Sequence, residues 1–354
     1  MRNEEFKLFN IETLSKYDKF TSMFNTENVS VKNVLPNHLI SRYEDDLNEA
    51  ESLLKQADKQ NYINVFCSNR KINSRLFSAK IDALAYRAFL EIEKNEAIRK
   101  NLKSFKAYNG FCNKVSYNLT GTSTGRLIVK KGSPNILTLP NRCRKIFESR
   151  WSSNGMLLSI DFKNLEPRLI RKILNQKVEG DIYEEILNKI EFKKEIDRSL
   201  IKRATISVLY GKMTPIEGLS KDRSDVILQK TKEYFNIDSI LSIAENSNGE
   251  EYRKNYFGRP LKNIDELKQN KIINNFIQSS AVDISLMYFN ELIDKINIEL
   301  SKPVFAIHDA LVIDVHKDYI EELKNVIRSG YENKKLGNFP IDMTNFTTGD
   351  KLID

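Results

Sequence analysis

The sequence predicts an α+β fold, with helices and an antiparallel β-sheet formed by different stretches of the chain. Apolar residues recur at helical spacing among charged residues over 40–54 and 78–102, which is typical of amphipathic helices. Residues 156–162 form a short, almost continuously apolar run, which is typical of a buried strand. Two β-rich runs, 304–307 and 311–315, flank a very short link and indicate a tight hairpin.

The composition is that of a globular protein and excludes several classes. The chain has 354 residues, of which 40% are hydrophobic and 29% charged, so it is not a disordered chain. Its length allows roughly two or three domains. No segment approaches the roughly 18 consecutive apolar residues of a membrane span. Lys and Arg number 56 against 48 Asp and Glu, and this net charge of +8 fits a polyanionic partner only weakly.

Cysteines, histidines and the N-terminus exclude further classes. The three cysteines are odd in number, lie far apart and form no CxxC pair, so neither a disulfide framework nor a zinc knuckle is indicated. Only three histidines are present, which argues against a His-rich metal site. The first ten residues lack the apolar segment of a signal peptide. We therefore expect a cytoplasmic location, in a bacterium or a phage-infected cell.

The first hundred residues are expected to be mostly helical scaffold, and the composition changes at Tyr108. From there to Pro140 the chain is rich in Gly, Ser, Thr, Asn and Pro, which favour turns and loops. Arg126, Lys130 and Lys131 lie among hydroxyl and amide side chains, a mixture that often holds phosphate backbones. A plain surface loop explains the same composition equally well.

Two aspartates are placed where they can face a cleft. Asp161 lies near the end of the predicted strand, and Asp309 lies at the tip of the predicted hairpin. Taken singly, each has a simpler explanation, because Asp also ends strands in solvent and forms turns. Pro167, shortly after the strand, suits the first turn of a helix.

Residues 197–210 predict a helix with an unusual stripe. Arg198, Lys202, Ile206 and Tyr210 recur every four residues, so they lie along one slowly rotating face. Two cations near the helix N-terminus favour an anion, and the apolar and aromatic residues that follow offer a surface for a base. Gly211 is a plausible terminator. The alternative is a solvated basic face on a core helix.

The order of these features resembles the three motifs of family A (DNA polymerase I-like) DNA polymerases. Asp161-Phe-Lys-Asn-Leu-Glu166-Pro-Arg168 is similar to D-Y-S-Q-I-E-L-R. The stripe beginning at Arg198 is similar to R-x3-K-x3-F-G-x2-Y-G, and His308-Asp309-Ala310 is similar to H-D-E. Three further elements of the family are also present. The upstream loop resembles T-G-R-L followed by P-N-L-Q-N-I-P, at Thr124–Leu127 and Pro134–Pro140. Tyr256–Arg259 resembles F-G-R, and Asn274 with Gln278 resembles N-x3-Q.

The resemblance implies a right-hand polymerase, with an antiparallel palm sheet and helical fingers and thumb, and it implies a two-metal nucleotidyl transfer. Asp161, Asp309 and the backbone carbonyl of Phe162 would bind two Mg²⁺ ions, with Mn²⁺ as an alternative. The implied domains are a helical N-terminal region with the thumb at 1–115, palm at 116–170, fingers at 171–265 and palm at 266–354.

The same resemblance implies a role for each remaining residue. Arg198 and Lys202 would contact the nucleotide phosphates, and Lys202 is the candidate acid for the pyrophosphate leaving group. Glu166 would exclude a 2′-hydroxyl, which favours dNTPs. The other implied roles are orientation of the primer end by His308, a border to the templating base by Tyr210, a platform for the nucleotide at Ile206, and contacts to primer–template DNA by Arg126, Asn274, Gln278 and Arg259.

The sequence departs from the family pattern at three positions. Ala310 replaces the Glu of the third motif and removes a carboxylate beside the metals. Ile206 replaces an aromatic residue and Ser207 a glycine, so we predict weaker base stacking and altered discrimination between deoxy- and dideoxynucleotides. About 115 residues precede the motifs, too few for an exonuclease domain beside a thumb.

The predicted function is therefore template-directed DNA synthesis on a primer 3′-hydroxyl, without intrinsic proofreading. A separate exonuclease, helicase or processivity factor would supply the missing activities. Two alternatives stay open at this point. A single-subunit RNA polymerase or primer-synthesising enzyme is favoured by Ala310 and opposed by Glu166. A catalytically weakened DNA-binding homologue is favoured by Ala310 and Ile206 and opposed by the joint presence of two aspartates and two cations.

Overall fold

The computed structural model describes residues 62–178, 180–210, 215–246, 253–261 and 269–353. The chain divides into two compact units, Met1–Asn64 and Val65–Asp354, and nearly all of the described residues belong to the second. The helix predicted over residues 40–54 lies outside the described residues, as does Gly211. Within the described part of the chain, no helix is both long and apolar enough to cross a bilayer.

Helices and strands alternate irregularly along the chain. The α-helices of the described ranges are α1 (Tyr62–Arg70), α2 (Ile72–Arg75), α3 (Ala83–Ile92), α4 (Glu96–Lys103), α5 (Leu165–Ile173), α6 (Ile182–Leu187), α7 (Arg198–Leu209), α8 (Lys221–Phe235), α9 (Ile237–Asn246), α10 (Gln269–Lys295) and α11 (Ile320–Arg328). The strands are β1 (Lys80–Ile81), β2 (Ala107–Tyr108), β3 (Phe111–Cys112), β4 (Tyr117–Asn118), β5 (Ile128–Val129), β6 (Phe147–Glu148), β7 (Gly155–Phe162), β8 (Arg253–Lys254), β9 (Pro260–Leu261), β10 (Ser301–Ile307), β11 (Ala310–His316), β12 (Tyr331–Asn333), β13 (Gly337–Phe339) and β14 (Ile341–Asn345). Short 3₁₀ turns occupy Ile136–Thr138, Asn141–Ile146, Ser152–Asn154, Lys193–Glu195 and Lys317–Tyr319.

A four-stranded antiparallel sheet in the order β10-β11-β7-β14 forms the centre of the second unit. The predicted strand is β7, and the predicted hairpin is β10 and β11 joined through His308 and Asp309. Leu158 and Ile160 of β7 are fully buried, as are Leu311 and Ile313 of β11. Because both faces of these strands are buried, their sequences are short and almost continuously apolar, which is the pattern that predicted them.

The 27-residue helix α10 packs against α2, α5, α7 and α9. Small side chains, Ser279, Ser280 and Ala281, are buried midway along α10, which lets neighbouring segments approach closely. Helix α5 follows β7 directly, and it begins after Asn164, whose φ of 55° turns the chain sharply. Pro167 lies in the first turn of α5, as predicted.

The single helix predicted over residues 78–102 is wrong in detail. The start of this segment joins a second sheet, in which Lys80 pairs with both Phe111 and Glu148. The remainder forms α3 and α4, because Asp82 and Asn95 accept hydrogen bonds from backbone N–H groups and cap two separate helices. The expected apolar face of α3 is also not buried, since Leu84 is 79% exposed and Ile92 68% exposed.

Candidate active site

The register of the central sheet brings carboxylates together at one end of β7. Asp161 lies directly opposite Ala310 of β11, so Asp309 is one residue from its cross-strand partner. On the other side of β7, Asp161 lies directly opposite Asp342 of β14. Directly opposed residues of an antiparallel pair have Cα atoms about 4.5–5.5 Å apart and side chains on one face of the sheet. The site thus has a third acidic residue that the sequence motifs did not reveal.

Burial disfavours ionisation of the two predicted metal ligands, and repulsion by Asp309 adds to this effect at Asp161. Burial, and then the neighbouring Asp309, raises the pKa of Asp161 to about 7. Burial also raises the pKa of Asp309. Oδ1 of Asp161 is buried and has no hydrogen-bond partner among the described residues. Oδ1 of Asp342 is likewise buried without a hydrogen-bond partner among the described residues, although it forms an ion pair with Lys163, whose Nζ lies 2.9 Å away.

These donors fit a hard divalent cation. An unpartnered carboxylate oxygen and a second carboxylate beside it are the ligand type that Mg²⁺ prefers, and the Phe162 carbonyl follows directly in the chain. No group of three or more His, Cys, Asp or Glu side chains in the described ranges could hold a metal by itself. An ion at this position would therefore take its remaining ligands from the backbone, water and phosphate oxygens, as Mg²⁺ commonly does.

The raised pKa of Asp161 predicts a pH-dependent stability of the metal-free protein. Because the folded-state pKa is about 7 and the unfolded value is about 3.9, the folded chain binds more protons within this window. The free energy of unfolding should therefore fall as the pH rises from about 4 to about 7. Thermal melts in a chelator should show the loss in the wild type, and a smaller one in Asp161→Asn. Parallel pH profiles for the two proteins would contradict this assignment.

A second cluster joins four of the predicted residues from distant parts of the chain. The Tyr210 hydroxyl donates to Oε2 of Glu166 at 3.1 Å, and Nη2 of Arg126 lies 3.7 Å from Oε1 of Glu166. With its amide oriented to satisfy both neighbours, Gln278 accepts from Nη2 of Arg126 at 3.1 Å and donates to Thr124 at 2.8 Å. Burial raises the pKa of Glu166, while Arg126 opposes that shift.

The turn between β10 and β11 places His308 and Asp309 beside this cluster. His308 has a φ of 54°, an uncommon backbone conformation that marks the tight reversal. His308 and Asp309 line one small cavity together with Arg126, Glu166 and Gln278. Burial and the neighbouring Arg126 lower the pKa of His308, which favours the neutral imidazole.

Helix α7 forms as predicted, and the two cations of its predicted stripe, Arg198 and Lys202, differ in their contacts. Asp197 caps the helix by accepting from the backbone N–H of Leu200. Arg198 donates to Oδ2 of Asp181 from Nε at 3.0 Å and from Nη2 at 2.6 Å, which raises the pKa of Arg198. Lys202 has no acidic side chain within 4 Å among the described residues. Its charge opposes the rise in the pKa of both Asp161 and Asp309, and Lys202 lines one cavity together with Phe162 and Asp342, so it lies on the side of α7 that faces the carboxylates.

The predicted DNA-contacting residues Asn274, Gln278 and Arg259 lie in different surroundings. Gln278 and Asn274 lie one turn apart on α10, on the same face of the helix. Arg259 is only 7% exposed, and its guanidinium is paired with buried Asp283, with Nη2 2.7 Å from Oδ1. This ion pair gives Arg259 a structural contact that the motif did not indicate, and its DNA contact stays a prediction.

The comparisons with known proteins agree with this geometry. Residues 78–350 match the profile of DNA polymerase family A. A DNA polymerase of Bacillus phage SP01 is 24% identical over 306 residues, covering 68% of this chain and 33% of that protein. The POL domain of Pol1 from M. smegmatis, in complex with DNA primer-template and dNTP, aligns with a TM-score of 0.56 and 16% identity. That alignment covers 76% of this chain and 56% of the other.

The structural alignment confirms the predicted right-hand polymerase fold. This chain spans about a third of the phage polymerase and about half of the solved domain. The domain boundaries and the role of each site residue stay predictions. Because the family match extends over more than half of its length, the chain belongs to DNA polymerase family A.

Proposed function

We propose that this chain is a template-directed DNA polymerase, which adds dNTPs to a primer 3′-hydroxyl. The observation that carries the proposal is the pair Asp161 and Asp309 at one end of the central strands β7 and β11, with Lys202 of α7 near both. Nucleotidyl transfer builds negative charge on phosphoryl oxygens, so positioning and positive charge are what the site must provide. The phage relative is a DNA polymerase, and the structural relative was solved with primer-template DNA and dNTP, which supports the same substrates here.

Asp161, Asp309 and the Phe162 carbonyl would hold the divalent metal. Two such ions, when bound, increase the reactivity of the attacking hydroxyl and neutralise the leaving phosphates. Lys202 would contact the β- and γ-phosphates and give its proton to the departing pyrophosphate. Arg198 would assist after exchanging its bond to Asp181 for a phosphate oxygen.

The second cluster would select the sugar and check the base pair. Glu166, which accepts a hydrogen bond from the Tyr210 hydroxyl, would exclude a 2′-hydroxyl from the site by occupying its place. Arg126 and Gln278 would reach minor-groove acceptors, which are present in A·T and G·C pairs alike, so these contacts test pair shape rather than sequence. His308, as a neutral donor, would orient the primer end.

Primer extension separates this function from its alternatives. We expect the chain with Mg²⁺ to extend a DNA primer with dNTPs and only poorly with rNTPs. Preferential rNTP use would favour the RNA polymerase alternative. DNA binding without extension under any nucleotide and metal would favour a binding protein. Affinity for primer–template should fall steeply with salt, because phosphate contacts release counterions.

Glu166 is expected to govern the choice of sugar. Glu166→Ala should raise rNTP incorporation relative to dNTP by on the order of tenfold or more, because the space of the carboxylate opens to a hydroxyl. Tyr210→Phe, which removes the hydroxyl that donates to Glu166 but keeps the ring, should raise the ratio of rNTP to dNTP incorporation less than Glu166→Ala does. Single-nucleotide incorporation kinetics measure both ratios. An unchanged ratio in Glu166→Ala would remove Glu166 from this role.

Ile206 is expected to govern stacking of the incoming nucleotide. Its side chain is 48% exposed on the stripe of α7, so a larger residue meets little steric resistance. Ile206→Phe should tighten dNTP binding and change the ratio of dideoxy- to deoxynucleotide use by several-fold, since stacking on an aromatic contributes about 1–3 kcal/mol per base. Competition between the two nucleotides in single-turnover reactions measures this. Identical ratios in both proteins would refute the idea.

A further inference from the structure

A large cationic cavity adjoins the candidate active site. Its volume is about 880 Å³, and it is lined by the end of β7, α5, α7, the chain around β14 and the segment following it. Among the described residues, six cationic side chains line it against only two acidic ones, Asp181 and Asp342. The cations are Lys163, Arg168, Lys172, Arg198, Lys202 and Lys351.

Only part of this positive charge is neutralised within the cavity. Arg198 is paired with Asp181, and Lys163 lies 2.9 Å from Asp342. Arg168 and Lys172 donate to backbone carbonyls at 3.0 Å, contacts that leave a full positive charge in place. Lys202 and Lys351 have no acidic side chain within 4 Å in the described ranges. The cavity therefore carries an excess of positive charge that a bound anion would balance.

The cavity is larger than the phosphates of one nucleotide require. Its volume lies toward the upper end of the roughly 300–1,000 Å³ of sites that enclose whole drug-sized ligands. Arg198 and Lys202 of α7 account for one group of cations. Lys163, at the end of β7, and Lys351, next to β14 through its bridge with Thr344, form a second group on different elements. Space and the charge of Lys351 thus remain beyond the triphosphate contacts proposed above, while Lys163 is paired with Asp342.

The two lysines of the second group are not part of the family pattern. Lys163 stands where the first motif of the family has a serine, D-Y-S against Asp161-Phe-Lys163. Lys351 lies one residue beyond the matched residues 78–350. Neither has a role in the proposed transfer reaction. Both lysines nevertheless line the same cavity as Lys202, which indicates a separate role in binding an anion.

We propose that Lys163 and Lys351 form a subsite for inorganic pyrophosphate, reached as the product leaves Arg198 and Lys202. This inference rests on the proposed polymerase function for the origin of its ligand. In that reaction the primer 3′-hydroxyl gives its proton to solvent and its oxygen bonds to the α-phosphorus, while the bond from the α-phosphorus to the bridging oxygen breaks. The bridging oxygen keeps the electron pair, so pyrophosphate departs as a compact polyanion. Several separate cations can bind both of its phosphate groups at once, whereas orthophosphate offers only one.

Isothermal titration calorimetry of the intact chain with sodium pyrophosphate tests the subsite without DNA or nucleotide. Lys351→Ala should weaken pyrophosphate binding about three- to tenfold, because one charge-assisted contact is lost from a partly exposed site. Lys351→Glu should weaken it further. Lys295→Ala, a surface lysine paired with Glu291 on α10, is the matched control and should bind as the wild type does. Wild-type affinity in both Lys351 variants would overturn the proposal.

A second measurement distinguishes failure of the subsite from failure of the polymerase function. In primer extension, Lys351→Ala should need several-fold more pyrophosphate than the wild type for half inhibition. If the wild type extends primers but Lys351→Ala keeps the same inhibition and affinity, the subsite is refuted and the polymerase stands. If the wild type does not extend primers and the Lys351 variants lose pyrophosphate binding, the anion site stands and the polymerase proposal fails.

Discussion

Replacing either Asp161 or Asp309 with asparagine should lower the rate of primer extension by on the order of 10³-fold or more. Each carboxylate would supply negative charge to the metal site, and metal-assisted charge stabilisation contributes several kcal/mol at about 1.4 kcal/mol per tenfold in rate. Asparagine keeps the size of the side chain, so the fold should persist. Single-turnover extension with Mg²⁺ measures the loss.

The same variants should become more stable rather than less in a chelator at neutral pH. The two aspartates are buried next to each other, and burial raises the pKa of both, so removing one ionisable group relieves a repulsion. A higher melting temperature together with lost extension would separate catalysis from folding. Asp238→Asn, which changes a carboxylate that is 82% exposed, should alter neither property. Extension at the wild-type rate by either active-site variant would refute the metal-site assignment.

Lys202→Ala should lower kcat/KM for dNTP by on the order of 10²–10³-fold. Arg198 is paired with Asp181 in the absence of nucleotide, whereas Lys202 has no acidic partner within 4 Å among the described residues. Lys202 would thus contact the triphosphate without first breaking an ion pair. A hydrogen bond to a charged group contributes about 1.5–3 kcal/mol, and loss of a proton donor to the leaving group adds to this.

The two roles of Lys202 can be separated by the choice of substitution and assay. Lys202→Arg keeps the charge but holds its proton far more tightly, so it should restore dNTP binding more than turnover. Arg203→Ala is the matched control, because Arg203 is the next residue of α7, is exposed and does not line the cationic cavity. Equal activity of Lys202→Ala and Arg203→Ala would show that Lys202 does not contact the nucleotide.

The local elements of the site were predictable because their signals lie within a few residues. The apolar runs of β7, β10 and β11 indicated strands, and the four-residue spacing on α7 indicated one helical face. The segment containing α3 and α4 shows the limit of such patterns. Its apolar spacing was helical, yet Leu84 and Ile92 are exposed, because periodicity does not say whether another element covers the face.

Contacts between distant residues could not be read from the motifs. Asp342 stands opposite Asp161 only through the register of β14, and no motif marks it. The Arg259–Asp283 pair joins a loop to α10, and the Arg198–Asp181 pair joins α7 to the residue that caps α6. In each case the partner is chosen by how the elements pack, which the spacing of one segment cannot encode.

The sequence by itself determined the family and the order of the chemical groups, because the motifs follow one another along the chain and need no geometry to be recognised. The tertiary structure alone decided their surroundings. Burial raised the pKa of Asp161 to about 7, strand register added Asp342, and packing gathered six cations from separate segments into one cavity. Electrostatic energies depend on distance and on exclusion of water, and both arise only when distant segments meet.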